Sequence, residues 1–291
     1  MAFFNSSTSN AATTAAVEKD IEMGDPPTDS ISCMAFSSQA DYLAVRIYEA
    51  MYQHEGPVLS VCWNKEGSKI FSGGADNAGR MFDVATGQAT QVAQHDAPIK
   101  VVKWYWDLRT PAPVATVQLP ERCYSVDVQY PLMVVGTAER HIQIFNLTNP
   151  TTPYKTMLSP LKWQTRVVSC FTASTNSGFA VGSVEGRVAI QYVEDKDSGN
   201  NFSFKCHRRD STPTSKTLPS YLLSRHLVPS SFEAAPGPIS TTTFNRNGSI
   251  FAYAVSYDWS KGHSGMTPGH PNKLMLHACK EDEVKKRPRK V

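Results

Sequence analysis

Apolar and polar residues alternate in short runs along most of this chain, and Gly, Asn and Asp punctuate them. The clearest run lies between His54 and Asp83. Val58, Ser60 and Cys62 alternate with Leu59, Val61 and Trp63, the period of two expected of a strand with one buried face. Asn64-Lys65-Glu66-Gly67 carries turn chemistry, and Ser68 to Ser72 predicts a second strand. A tight turn around Asp76 leads to a third strand ending at Phe82-Asp83. His95, in the run HDAPI, follows His54 by 41 residues, a spacing in the range of four-stranded repeat units. Asp76 can accept hydrogen bonds inside its turn, and His54 can bridge it to the neighbouring strand. A buried polar pair persists only when each member satisfies the other. His54, Asp76, Asp83 and His95 are therefore expected as structural repeat residues, not as a catalytic set.

Aligning the first strand of each unit gives six candidates: ISCMAF from Ile31, VLSVCW from Val58, IKVVKW from Ile99, CYSVDV from Cys123, RVVSCF from Arg166 and ISTTTF from Ile239. Their spacings are 27, 41, 24, 43 and 73 residues. Two of these fit a whole blade, and the two shortest each lack about two strands. The text agrees. Ala40 to Ala50 runs from a second strand into a third without a Gly/Asp turn. Lys103-Trp104 runs straight into Tyr105-Trp106-Asp107, so Asp107 reads as the repeat residue closing a blade whose middle is gone. The pattern predicts an all-β fold, a WD-repeat β-propeller. Four blades read as whole (54–84, 118–147, 160–193 and 236–280), two as clipped and one as mostly missing. Residues 211–231 form an irregular insert without clean alternation.

Residues 1–16 are rich in Ser, Thr, Ala and Asn and are expected to be disordered. Val17 to Met23 is the first segment with strand character and the candidate for closing the last blade. The propeller is thus expected over 17–280, with 281–291 as a basic C-terminal tail. That tail is a solvated run, or else a nuclear signal or nucleic-acid contact.

Composition narrows the picture further. The formal charge of +3 does not by itself announce a nucleic-acid binder. The six cysteines include no CxxC pair, which predicts a reducing compartment, no disulfide framework and no zinc site. No apolar run is long enough for a membrane-spanning helix.

Longer runs carry a resemblance. QVAQHDAPIK (91–100), LPERCYSVDVQYPLMVVGTAER (119–140), SPLKWQTRVV (159–168), GFAVGSVEGRVAIQYV (178–193), NFSFKCHR (201–208) and FNRNGSIFAYAVSYDWSKGH (244–263) closely resemble the poly(A)+ RNA export factors of the nuclear pore. That family consists of seven-bladed WD-repeat propellers, with a mitotic-checkpoint propeller as its nearest relative. The resemblance implies a non-enzymatic adaptor in the nucleus and at the nuclear envelope, shuttling to the cytoplasm. Its implied partners are a hairpin segment of an FG-repeat nucleoporin, single-stranded or poly(A)+ RNA and, in some lineages, spindle or checkpoint proteins. Carried over by motif, the KCHR run places RNA binding at Lys205, His207, Arg208 and Arg209. Cations beside the aromatic Phe202 and Phe204 suit backbone and base contacts. The family's sixth blade carries further basic groove residues, and this sequence has no counterpart to them.

An enzyme would need a constellation of reactive groups, and none is legible. There is no GxSxG, HExxH or P-loop, and Asp107, Asp127 and Asp258 read as strand-end residues of the repeat. No cofactor and no metal are expected. The alternatives to an RNA-binding adaptor are a WD-repeat scaffold that meets only proteins, and a shortened isoform of impaired function. Lost strands leave unpaired edges, so the chain is expected either to fold poorly or to close as a smaller ring.

Overall fold

The structure is a computed structural model, and it describes residues 20–24, 30–45, 54–103, 115–171, 177–205, 237–257, 263–267 and 269–280. The expected disordered segment 1–16, the insert 211–231 and the tail 281–291 lie outside the described residues. Two compact units are present, one within Met1–Val102 and His226–Val291, the other within Lys103–Arg225.

The first unit holds β1 (Ile21–Glu22), β2 (Met34–Phe36), β3 (Leu43–Val45), β4 (Val58–Trp63), β5 (Lys69–Gly74), β6 (Ala78–Asp83) and β7 (Gln88–Gln94). The second holds β8 (Cys123–Gln129), β9 (Leu132–Thr137), β10 (His141–Asn146), β11 (Lys155–Leu158), β12 (Thr165–Cys170), β13 (Gly178–Ser183), β14 (Arg187–Tyr192) and β15 (Phe202–Lys205). The chain then returns to the first unit with β16 (Ile239–Phe244), β17 (Ile250–Val255) and β18 (Lys273–Ala278). Among the described residues, four antiparallel sheets have four strands each, ordered β4-β5-β6-β7, β8-β9-β10-β11, β12-β13-β14-β15 and β16-β17-β18-β1; β2 and β3 make a two-stranded fifth.

These four sheets are the four blades expected from the sequence, and three of them reach one strand further than the expected bounds. The added strands β7, β11 and β15 are largely exposed outer edges with mixed polar and apolar text. They pack little, so their pattern is weak. The fourth sheet takes its outer strand from the other end of the chain: Ile21 pairs with Leu276 and Glu22 with Met275. The closing role expected of Val17 to Met23 is thus filled by Ile21–Glu22, with 17–19 outside the described residues.

The strict alternation expected of VLSVCW does not hold. A register shift falls between Val58 and Ser60, and the same shift recurs between Cys123 and Ser125, Thr165 and Val167, and Ile239 and Thr241. Every whole blade thus begins with a bulge that re-aims its first strand. At two of these bulges the serine hydroxyl just past the bulge accepts from a neighbouring segment. Val168 N–H donates to Ser125 Oγ at 3.1 Å, and Val102 N–H donates to Ser60 Oγ at 3.0 Å.

That second bond explains what becomes of IKVVKW. No strand forms over residues 99–103, contrary to the sequence expectation; a ladder needs partners, and none pairs with this segment among the described residues. Even so, Ile99 and Val102 pack on Gly73 as Thr165 and Val168 pack on Gly136, and Ile99 N–H donates to Gly74 O at 3.0 Å. The segment keeps the seat of a first strand without its ladder.

The two-stranded sheet is a layer with two packed faces. Leu43 and Val45 join Ile31, Met34, Ala252, Ala254 and Leu274 in one core cluster. Ala44, pointing the other way, joins Trp63, Ile70 and Phe82 in another. The end of the expected third strand, residues 46–50, lies outside the described residues. In the second unit, Val134, Ile142 and Ile144 of one sheet meet Val168, Phe179 and Val181 of the next, burying apolar side chains at about 25 cal/mol per Å².

Short polar motifs set the hairpins. Asn64 Oδ1 accepts from Ser68 N–H and Lys69 N–H, both at 2.9 Å, while Gly67 takes a φ of 66°. Asn245 does the same for Ile250 N–H at 3.0 Å, with Gly248 at 75°. The N-x-x-G-S text of both turns fits this geometry, in which glycine alone has no steric cost at positive φ.

Candidate nucleic-acid interface

The repeat residues come first, because they hold the loops in place. His54 Nδ1 donates to Asp76 Oδ1 at 2.8 Å, and His54 Nε2 lies 2.9 Å from Ser72 Oγ on β5. A carboxylate only accepts, so the Nδ1 proton is fixed and Ser72 can donate to Nε2. Asp76 also accepts from Glu55 N–H at 3.0 Å and from Ala78 N–H at 3.3 Å. The side chains of His54 and Asp76 are 2% and 8% exposed, too enclosed to meet a substrate. Burial would raise the Asp76 carboxyl, but these hydrogen bonds together hold it below its ordinary range.

The other repeat residues divide. Asp83 caps the turn after β6, accepting from Ala85 N–H at 3.0 Å and Thr86 N–H at 3.1 Å. His95 departs from the expectation: it is exposed, and its N–H donates to Asn77 O at 2.9 Å. Its ring has no bonding partner among the described residues, and Asp107, in the blade it would have served, lies outside them. Asp127 is not at a strand end. It sits inside β8, where Oδ2 accepts from Cys170 N–H at 2.8 Å and Oδ1 from Lys103 Nζ at 3.0 Å. Burial pushes the neighbouring Cys170 thiol up to about 12, which leaves it inert as a nucleophile.

Of the expected RNA-binding residues, Lys205 is described, and His207, Arg208 and Arg209 lie outside the described residues. Lys205 is exposed and ends β15, directly across from Arg187 on β14. Arg187 Nε in turn lies 3.9 Å from Glu185 Oε2. The expected grouping with Phe202 and Phe204 does not form. Those rings stack at 6.0 Å, but side chains alternate along a strand, so Lys205 points to the opposite face. Phe204 instead packs with Ala180, Val188 and Ile190.

A different aromatic stands at the Lys205 end of this sheet. The loop from β11 to β12 presents Lys162, Trp163 and Gln164 to solvent, and Trp163 is 53% exposed. Its base is firmly set. Leu161 is buried at 3%, and its carbonyl accepts from Arg140 Nη1 at 3.0 Å. Ser159 N–H donates to Arg140 O at 2.8 Å, and Val184 N–H to Gln164 O at 3.0 Å.

Strand direction places Arg122, Arg140, Lys162, Arg166, Arg187 and Lys205 at this one end of the second unit, where they outnumber Glu121, Glu139 and Glu185. The other end carries Glu194, Asp195 and Asp197 with Lys196 among them. There Lys155 Nζ meets Asp195 Oδ1 at 2.5 Å. Sequence reading missed the Trp163 loop and Arg187. KWQTR was visible as text, but the register that sets Arg187 beside Lys205 depends on strand pairing.

Comparison with known proteins agrees with the sheets. A family profile described as WD domain, G-beta repeat, matches residues 46–83. The chain is 43% identical to the mRNA export factor GLE2 of Chaetomium thermophilum over 352 positions, covering 98% of each. It is 41% identical to the Poly(A)+ RNA export protein of Schizosaccharomyces pombe over 352 positions, covering 100% of this chain and 99% of that one. With the mRNA export factor of Xenopus tropicalis it shares 38% over 340 positions, covering 94% of this chain and 92% of the relative. The first two spans exceed the chain's own 291 residues by roughly 60 positions, about one and a half blades. These alignments therefore carry internal gaps in this chain.

Proposed function

This chain belongs to the mRNA export factor family of WD-repeat proteins, a non-enzymatic kind of protein in nucleocytoplasmic transport, and we propose that it serves as an export adaptor at the nuclear pore. It carries poly(A)+ mRNA by holding single-stranded RNA on one side while gripping a hairpin segment of an FG-repeat nucleoporin on the other. The observation that carries this reading is the match to export factors over nearly the whole of both chains. The excess of cations at one end of the second unit supports the RNA half of it, since phosphate neutralisation by Lys and Arg supplies most non-specific affinity.

Two binding measurements on the full chain test the proposal. The first is capture of the purified chain by the nucleoporin hairpin segment. The second is titration with a single-stranded oligo(A) RNA at several salt concentrations, where the affinity is expected to fall steeply as salt rises. Capture without any RNA binding would leave a scaffold that meets only proteins. Loss of both would overturn the adaptor role for this chain.

A further inference from the structure

We infer that Trp163 is a base-stacking platform for single-stranded RNA, with Arg187 and Lys205 forming the phosphate track beside it. The inference rests on the RNA-binding reading above and adds to it a residue and a direction. Trp163 leaves half of its surface in water, although apolar residues on either side of it in the chain, Leu161 and Val168, are buried. The loop below it is fixed by a buried leucine and by hydrogen bonds to Arg140 and Val184. A rigid, exposed indole loses little freedom when it stacks, and any base offers it a π face.

The surrounding charge selects the ligand. Lys162 adjoins the ring in sequence, and Arg187 and Lys205 follow across the end of the same sheet. The Trp163 loop leads into β12, and Lys205 ends β15, three strands away. At about 4.8 Å per strand this is about 14 Å, a few nucleotides of extended chain. A strand of RNA laid along this end can stack one base on Trp163 while its phosphates pass Arg187 and Lys205. At the other end of the unit Glu194, Asp195 and Asp197 are accompanied by Lys155 and Lys196, so that end offers a polyanion no comparable excess of cations. A double helix hides its base faces and offers nothing to the indole.

The test uses the full chain and a fluorescently labelled oligo(A) RNA, read by anisotropy across a salt series. Trp163→Ala should weaken binding about tenfold to a hundredfold with the salt slope unchanged, and Trp163→Tyr should recover most of the loss. Arg187→Gln should lower the slope by about one. Because Trp163 is exposed, thermal melts of its variants should match the parent. Binding by the parent that Trp163→Ala leaves unaltered would overturn the platform and leave the RNA reading intact. No RNA binding by the parent chain would overturn both.

Discussion

Gly73 and Ile99 face one another with no room for a side-chain carbon between them. A Cβ on Gly73 would lie 2.7 Å from Val102 Cγ2 and closer still to Ile99 Cγ2. Both neighbours are β-branched and stiff at χ1, so neither can swing aside. Gly73→Ala should therefore destabilise the first unit by about 1–3 kcal/mol, measured by urea unfolding. Gly136→Ala, whose Cβ would meet Thr165 and Val168 at 3.0 and 3.2 Å, should cost less. Equal losses at the two sites would show that residues 99–102 do not hold their seat in solution.

Removing the His54 ring strands two buried groups at once, Asp76 and Ser72. His54→Ala should cost about 3 kcal/mol and lower the melting temperature, while RNA affinity per folded molecule stays unchanged. A variant that melts like the parent would mean that the ring bridges nothing.

The same carboxylate sets an acid limit. Asp76 ionises below its ordinary 3.8 because its hydrogen bonds from His54, Glu55 and Ala78 prevail over burial. A folded pKa below the unfolded one gives stability that is complete above the unfolded value and lost as the pH falls through the folded one. Asp76→Asn should be less stable at neutral pH and show a shallower decline below about pH 4. Denaturant midpoints collected at several pH values check both halves.

How much of this could be read in advance depended on what each residue packs against. The His54–Asp76 pair was legible because a turn Asp and a His at repeat spacing have one obvious use. The four whole blades followed from strands with a buried face. The bulges were not legible: Leu59, Tyr124, Arg166 and Ser240 share no chemistry that marks an extra residue. The partnership of Arg187 with Lys205 was hidden for a similar reason, since register is a property of two strands. Ile99 misled in the other direction, because its apolar run promises a ladder, and none forms over residues 99–103. Of the candidate interface, Lys205 came from a motif, whereas Trp163 needed a fold to show that it faces water.

The closing strand should be the place where the first unit opens. Asp20 accepts from His277 Nδ1 at 2.7 Å and from the Tyr253 hydroxyl, and Lys273 Nζ reaches Glu22 at 2.8 Å. Among the described residues, two residue pairs of backbone ladder assist them, and Met23 N–H donates to Leu274 O at 2.8 Å. Asp20→Ala should cost about 1–3 kcal/mol and speed hydrogen exchange at the β18 amides that face β1.

At high pH the limit comes from Tyr253. Burial, then the hydrogen bond from its hydroxyl to Asp20 and that carboxylate's charge, push the hydroxyl above its ordinary 10.0. The unfolded chain therefore ionises first, and stability is lost as the pH rises above about 10. Tyr253→Phe should flatten this alkaline decline in a melt series, and an unchanged decline would assign it elsewhere.

Leu43, Ala44 and Val45 are buried at 2%, 0% and 2% exposure, although their sheet has only two strands among the described residues. A repeat of this kind can thus be pruned from its outermost strand inwards without stripping its neighbours of their cover. Deletions that spare the inner pair remove an edge, whereas deletions that reach it would remove a wall shared by two cores. Length variation in such proteins should therefore accumulate in third and fourth strands, and a gene can lose part of a repeat there before the protein loses its fold.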